Sequence, residues 1–399
     1  MNYLIDIKTM HTDLLFSLFL IFTGAACLST AVLFTRQSLL VAYMLLGILT
    51  GPSVLGWVTD PALIKQTGDI GIIFLLFLLG LNLHPQKLLH MLRKATLIAL
   101  LSSFLFGLVG FAIGLLYHFT VMESTIIAAA MMFSSTIIGV KLLPTTMLHH
   151  KHIGEVMISI LLLQDLLAIA ILFFLTTFAS SNDGPGHLLF SIVSLPLLLG
   201  IAFLVERYVI NKLLTRFDSI KEYVFLLTIG WCLGMAQLAV YMGLSAEVGA
   251  FVAGVALATS PVAYYISEHL KPLRDFFLVL FFFIIGANFN LSYLPKVIYP
   301  ALILALLTIF FKPYLFQKLL LYTGESRAVA REVGLRLGQA SEFSLLIAYL
   351  ASVGGFSLIG PTADYLIQAM TLLSFFISSY LVVLRYPTPL ALTEKMRKD

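Results

Sequence analysis

The residue with the most chemical consequence is Asp165, a carboxylate in the otherwise apolar run LLLQDLLAIAIL. An ionised group at the centre of a membrane-spanning helix costs at least ~2.5–3.5 kcal/mol, so it persists only where it is paired, hydrated or used. A carboxylate oxygen pair at that depth is suited to one proton or one cation, and the adjacent Gln164 adds a carbonyl oxygen that holds no proton. Three more ionisable residues share this apolar setting: Lys312 in FKPYL, Arg336, and Glu342 in LGQASEF. Two polar interruptions accompany them, FSSTIIG with Ser134, Ser135, Thr136 and Gly139, and LGQASEF with Gly338, Gln339 and Ser341. Hydroxyls and carbonyls of this kind complete an oxygen shell for a hard monovalent ion. No transition-metal site and no cofactor is expected.

The elements that must position these groups are membrane helices. A chain that is 60% hydrophobic and only 11% charged falls far from a soluble domain, where charged residues make up about 25%. It reads as an all-α polytopic membrane protein. Thirteen stretches are long enough to cross the hydrocarbon: 13–34, 38–56, 68–83, 95–118, 122–143, 153–179, 187–210, 222–242, 244–261, 273–294, 297–322, 330–353 and 363–386. Those at 122–143 and 244–261 read as interrupted. Basic residues test this division independently. With the N-terminus outside, only Lys8, Lys65 and Lys296 fall on the outer side and Lys312 and Arg336 within spans; every other lysine and arginine faces inward, as the positive-inside rule requires of an odd number of spans. A bacterial inner membrane is the expected location, with the C-terminus cytoplasmic.

Several function classes are excluded by the same reading. The basic residues are scattered through short loops without interleaved aromatics, so nucleic acid is not an expected partner. No nucleophile with a base or metal triad appears, so the chain is not expected to be an enzyme. Cys27 and Cys232 lie in apolar stretches and read as small buried hydrophobes. His149, His150 and His152 around Lys151 resemble a metal cluster, but without an accompanying carboxylate pattern beyond Glu155 a solvated basic turn is the better reading. Glu247 is expected near the start of its helix, and Lys141 and Glu155 at helix ends beside the histidine loop. The loop SSNDGPGH and the tail TEKMRKD hold no soluble domain, so 1–399 is expected to be one transmembrane unit without a soluble regulatory domain, either a bare membrane unit or one from which a cytosolic domain has been removed.

Asp165 lies about 12 residues from the inner end of its span, ~18 Å, and Lys312 about 15 residues from the outer end of its own, so both approach the midplane and are expected to meet. A plain ion pair knitting two helices is one reading of them. The two breaks favour another. Ser, Thr, Gln and Gly at 134–139 and 338–341 loosen helical hydrogen bonding, and backbone at that depth unwinds only inside protein or beside a wet cavity. Each broken span precedes one further span, and the two run in opposite directions, the signature of inverted repeats with a site at their interface. Opposed half-helix ends there would carry partial charges that Glu342 and Arg336 are placed to offset.

The runs GILTGPSVLGWV, GDIGIIFLLFLLGLNLHPQKL, SSTIIGVKLL, LLLQDLLAIAIL, LSAEVGAFVAGVALATS, LVLFFFIIGANFNL, FKPYL and LGQASEF, in this order, resemble the monovalent cation:proton antiporter-2 family, in particular its Kef-type potassium/proton branch. The resemblance covers about residues 14–386. It implies a thirteen-helix sodium/proton-antiporter fold with two crossed broken helices, a mobile core from roughly 95–179 and 297–386, and a dimerisation part from the remaining spans, in a homodimer surrounded by lipid. It places the cation-binding carboxylate on Asp165, the membrane-embedded lysine on Lys312 and the second-break glutamate on Glu342. Gln164 stands where electrogenic relatives carry a second acid. Kef systems usually continue into a cytosolic nucleotide-binding domain, and this sequence ends at Asp399.

The expectation that follows is electroneutral exchange of a monovalent cation, potassium before sodium, for a proton by alternating access, with both ions competing for Asp165. An ion-coupled symporter of an organic solute and a cation channel are the alternatives on the same crossed-helix architecture.

Overall fold

The computed structural model describes residues 14–58, 61–83, 85–144, 152–179, 185–353 and 358–389. These residues are helical throughout, with no β-strand among them. In chain order the helices are α1 (Leu14–Phe34), α2 (Leu39–Thr50), α3 (Pro61–Asn82), α4 (Pro85–Leu116), α5 (Val121–Met131), α6 (Thr136–Lys141), α7 (His152–Ala179) and α8 (Pro185–Val205). Then follow α9 (Asn211–Arg216), α10 (Lys221–Tyr241), α11 (Ala246–Leu257), α12 (Ala263–His269), α13 (Lys271–Ala287), α14 (Leu294–Tyr322), α15 (Arg327–Arg336), α16 (Glu342–Val353) and α17 (Pro361–Val383). Each of the thirteen hydrophobic stretches lies in one of these helices or in a broken pair. Among the described residues, eight segments are long and apolar enough to cross a bilayer as they stand.

The sequence sets the helix ends. Pro61, Pro85, Pro185 and Pro361 begin α3, α4, α8 and α17, positions where the missing N–H would have been unpaired in any case. Thr120 and Glu123 close a reciprocal capping box at α5. Gly243 and Gly324, at φ 70° and 92°, end α10 and α14. There the next residue, Leu244 or Glu325, donates its N–H back to Ala239 or Leu320, a left-handed C-terminal cap that glycine adopts without steric cost.

Two expectations are corrected. The stretch 244–261 is not interrupted: α11 runs unbroken from its cap at Ser245, with Glu247 in its first turn, where a carboxylate favours the positive helix end. Its small residues serve packing, Gly249 and Gly254 lying against neighbouring backbone. Cys27 is exposed, unlike Cys232, because α1 turns an apolar face outward, with Leu15 and Phe19 exposed beside it. His149, His150 and Lys151 lie outside the described residues.

The chain divides into two compact units, 1–60 with 91–171 and 282–399, and 61–90 with 172–281. In the second unit α3 packs on α11 backbone to backbone. A Cβ on Gly254 would lie 2.1 Å from the Phe77 carbonyl oxygen, and one on Gly80 2.5 Å from that of Phe251. Trp231 fixes α10 to α11 by donating its indole N–H to the Ala253 carbonyl at 3.0 Å. The first unit holds both broken helices and a similar glycine contact between α2 and α13, where a Cβ on Gly47 would lie 2.1 Å from Phe283 O and one on Gly286 2.1 Å from Met44 O. Without hydrophobic drive between helices in lipid, small residues that let backbones touch are the main source of such packing.

Gly254→Ala should therefore lower stability by about 1–3 kcal/mol or more, the usual cost of overpacking. Gly230→Ala, where nothing lies within 4 Å of the added carbon, should be neutral or slightly stabilising. Thermal unfolding of the two variants in detergent measures the contrast.

Candidate functional site

The site forms in the first unit, where the two helix breaks meet. In the first, helical geometry stops after Met131 and resumes at Thr136; in the second it stops after Arg336 and resumes at Glu342. The broken helices lie antiparallel. Ser344 donates its hydroxyl to Ala130 O, Gln339 donates Nε2 to Ser135 O at 3.4 Å, and Arg336 donates to Leu142 O at 2.9 Å, so residue numbers rise along one helix as they fall along the other. Each resumed helix begins on a serine cap: Ser135 Oγ accepts from Ile138 N and Ser341 Oγ from Phe343 N, both at 3.1 Å. The two capping serines thus align the repeats residue for residue.

Lys312 occupies the point between them. It is fully buried, its Nζ donating to Phe133 O at 2.6 Å and Gln339 O at 3.4 Å, the carbonyls that stand two residues before each capping serine. These are loose carbonyls at the C-terminal ends of α5 and α15, where helix dipoles leave partial negative charge. Phe106 covers the ammonium at 4.9 Å from its ring centroid. The lysine reaches this depth because α14 and α15 approach closely. A Cβ on Gly338 would lie 2.5 Å from Pro313 Cγ, and one on Gly334 2.6 Å from Pro313 O.

The N-terminal ends of α6 and α16 face the same point and carry the opposite partial charge. Glu342, the first residue of α16, accepts hydrogen bonds from the Ser135 hydroxyl and the Ile137 N–H of the other half-helix and from the Ser341 hydroxyl, while its Oε2 has no partner among the described residues. Asp165, 1% exposed on α7, holds both carboxylate oxygens within reach of one hydroxyl, Thr136 Oγ1, at 3.2 and 3.1 Å. One hydroxyl proton serves only one of them at a time. Asp165 and Glu342 are near enough for their charges to interact. Thr136 and Glu342 keep part of their residue surface exposed, whereas Asp165 is buried.

Three sequence expectations change here. Asp165 and Lys312 do not form an ion pair; the ammonium is consumed by the two break carbonyls, which in an apolar interior have no water to turn to. The Gln164 carbonyl, expected on a bound ion, accepts the Ser134 N–H at 3.2 Å while its amide donates to Met132 O at 3.4 Å, so Gln164 bridges the first break. Arg336 bonds none of the break residues. It binds Glu332 at 2.9 Å and donates to Leu142 O and Pro387 O, each at 2.9 Å, capping the far end of α6. Gly139 lies within α6, whereas Ser134, Ser135, Gly338, Gln339 and Ser341 lie in the breaks. At the loop, Lys141 ends α6, and Glu155 meets His152, whose Nε2 reaches Glu325 at 2.9 Å.

The sequence reading missed Ser374 and Ser378. Ser374 Oγ accepts the Ala340 N–H at 3.1 Å, the same service that Gln164 gives Ser134 in the other repeat, and Ser378 donates to Gln339 Oε1 at 3.1 Å. The signal was present: a polar residue on the helix after the second break, matching Gln164 after the first.

Residues 17–383 match the family described as sodium/hydrogen exchanger, transmembrane. The chain is 30% identical over 353 residues to K(+) efflux antiporter 6 of Arabidopsis thaliana, covering 85% of this chain and 58% of that one. It is 29% identical over 352 residues to the putative K(+) efflux antiporter KefB of Alkalimonas amylolytica, covering 86% and 52%. The sodium proton antiporter MjNhaP1 of Methanocaldococcus jannaschii has a similar fold, with a TM-score of 0.71 at 17% identity over 94% of this chain and 96% of that one. The chain spans less than three fifths of the length of these curated relatives.

Lys312→Met retains a stem of similar bulk and removes the ammonium from both carbonyls. It should cost about 1.5–3 kcal/mol, the worth of a hydrogen bond to a charged donor. A denaturation midpoint equal to that of the unaltered protein would show that the ammonium does not hold the breaks together.

Proposed function

Because the chain belongs to the sodium/hydrogen exchanger family, we propose that it exchanges a monovalent cation for a proton, the two competing for the carboxylate of Asp165. The observation that carries this reading is a pair of neighbouring carboxylates at crossed helix breaks, Asp165 sharing a single hydroxyl and Glu342 keeping one oxygen without a partner among the described residues. The four half-helix ends offset one another, two positive and two negative at roughly half a charge each. What remains is one ammonium, Lys312, against two carboxylates, Asp165 and Glu342. One further positive charge balances the site, and a proton or an alkali cation supplies it equally.

Competition gives coupling. With Asp165 occupied by either ion the site is neutral overall and can cross the low-dielectric middle of the membrane; bare, it cannot, because an uncompensated charge is costly there. Each cycle then carries one cation one way and one proton the other. Gln164 supports a one-for-one, electroneutral exchange, since an amide in place of a second acid brings no second proton. Potassium is favoured over sodium in this reading because the relatives at 29–30% identity carry the name K(+) efflux antiporter. Segments 95–179 and 297–386 would move as the core and the remaining spans serve as a scaffold and homodimer contact. The chain would lie in a bacterial inner membrane, lipid around it, N-terminus outward and C-terminus cytoplasmic. It would transport without covalent chemistry on its substrates.

Reconstituted vesicles loaded with a pH dye and given potassium, sodium, rubidium or lithium in turn test this. Potassium should move protons at a rate unchanged when an ionophore collapses the membrane potential, and Asp165→Asn should abolish the exchange while leaving the fold intact. Exchange retained in Asp165→Asn, or no cation-driven proton movement in the unaltered protein, would overturn the proposal.

A further inference from the structure

Protons must reach the buried site, and α17 carries groups of the kind that would bring them. Asp364 lies one turn into this helix, partly exposed, its Oδ1 accepting from Gln368 Nε2 at 2.9 Å and its carboxylate also bonded by Ser352 of α16. On the same face of α17, four, seven, ten and fourteen positions further on, stand Gln368, Thr371, Ser374 and Ser378. All four are buried, at 6%, 0%, 0% and 2% exposure. The stripe spans about 21 Å at 1.5 Å per residue and ends on the second break, where Ser374 accepts the Ala340 N–H and Ser378 donates to Gln339. The other buried positions of the helix, among them Leu366, Ile367, Met370 and Phe375, are apolar except Ser379, whose hydroxyl is spent on the Phe375 carbonyl of its own helix at 2.8 Å.

Two atoms on the stripe, Gln368 Oε1 and Thr371 Oγ1, have no hydrogen-bond partner among the described residues. Buried polar atoms are nearly always satisfied, by protein or by ordered water, and a polar, enclosed position between such groups is where internal water resides. Close packing alone would be served by alanine or glycine. A largely buried carboxylate that keeps part of its surface exposed at the mouth, an unsatisfied hydroxyl and amide oxygen below it and a helix break at the bottom together make a hydrogen-bonded file.

We propose that Asp364 and the polar face of α17 form a proton-access route from the membrane face at which α17 begins to the second helix break, separate from the Thr136 side where the cation meets Asp165. This rests on the exchange proposed above. Asp364 takes a proton from bulk water and water on Gln368, Thr371 and Ser374 relays it inward; no covalent or redox step is involved. The other titratable or charged groups around the route are Tyr365 and Tyr293 near the mouth, Glu123 of α5, whose carboxylate is tied to Thr120 and the Gly360 N–H, Tyr349 and Glu342 of α16, and Lys312 of α14. Of these Glu123 is the only other acid near the start of α17, and both its oxygens are engaged.

The test has a readout that does not depend on transport. In a background with Cys27→Ser and Cys232→Ala, a charged, membrane-impermeant thiol reagent is applied to the side at which α17 begins. Thr371→Cys and Ser374→Cys should react at least ~10-fold faster than Met370→Cys, since such reagents need a hydrated thiolate. Equal rates overturn the route whether or not the protein exchanges ions. In vesicles, Asp364→Asn should slow exchange about 10-fold when that side is alkaline and recover as it is acidified, with the KM for potassium unchanged, as for loss of a proton-transfer group. A loss of the same size at every pH would mark a merely structural residue and overturn the relay. If Asp364→Asn does not fold, the labelling, done with Asp364 present, decides.

Discussion

One ammonium between two carbonyls organises the first unit. Breaking a helix in the membrane leaves carbonyls and N–H groups that water cannot rescue, and each must find a partner inside the protein. Lys312 meets the requirement for both repeats at once by bonding Phe133 O and Gln339 O, the same position relative to the serine cap in each. The rest follows from that shared contact. The N–H groups need an acceptor, which Glu342 supplies to α6. The N–H before each cap needs another, which Gln164 supplies in one repeat and Ser374 in the other. The polar groups that meet the breaks are largely committed to backbone, and Asp165, sharing a single hydroxyl, is left under-satisfied.

That division of labour separates structural from functional polarity. Gln164 and Lys312 look as reactive in a sequence as Asp165, but their hydrogen bonds are spent on backbone. Arg336 is likewise spent, on the end of α6, on its neighbour Glu332 and on Pro387 O. The proposed exchange needs a group whose partners leave room for one more positive charge, and Asp165 with Glu342 fits this condition.

Much of this was legible without coordinates. Hydrophobic length and the distribution of lysine and arginine located all thirteen stretches, because the bilayer imposes a length that composition cannot evade. The runs FSSTIIG and LGQASEF marked the breaks, since hydroxyl and amide side chains compete with helical hydrogen bonds. The run LSAEVGAFVAG carried the same small-residue signal and marked no break. Its glycines and alanines face backbone, with Gly249 against Met235 O and Gly254 against Phe77 O, and sequence does not distinguish a residue small in order to bend from one small in order to touch. The partner of Lys312 was illegible for another reason. It is main chain, and carbonyls have no letter in a sequence. Lys312 and Asp165 both reach the first break, at Phe133 O and Thr136 Oγ1, but depth along a helix says nothing about which neighbour wins the proton donor.

The glycine seam between α2 and α13 has a mechanical consequence. Where Gly47 and Gly286 meet the facing carbonyls of Phe283 and Met44, no side chain lies between the backbones to act as a bearing. Sliding either helix along the other would drive a Cβ from a neighbouring residue into main chain, a collision that no change of rotamer relieves. The pair is a keyed joint. Any displacement of that part of the first unit must carry α2 and the 282–287 end of α13 together, and pliancy there has to come from turns and linkers instead of from slippage along this seam.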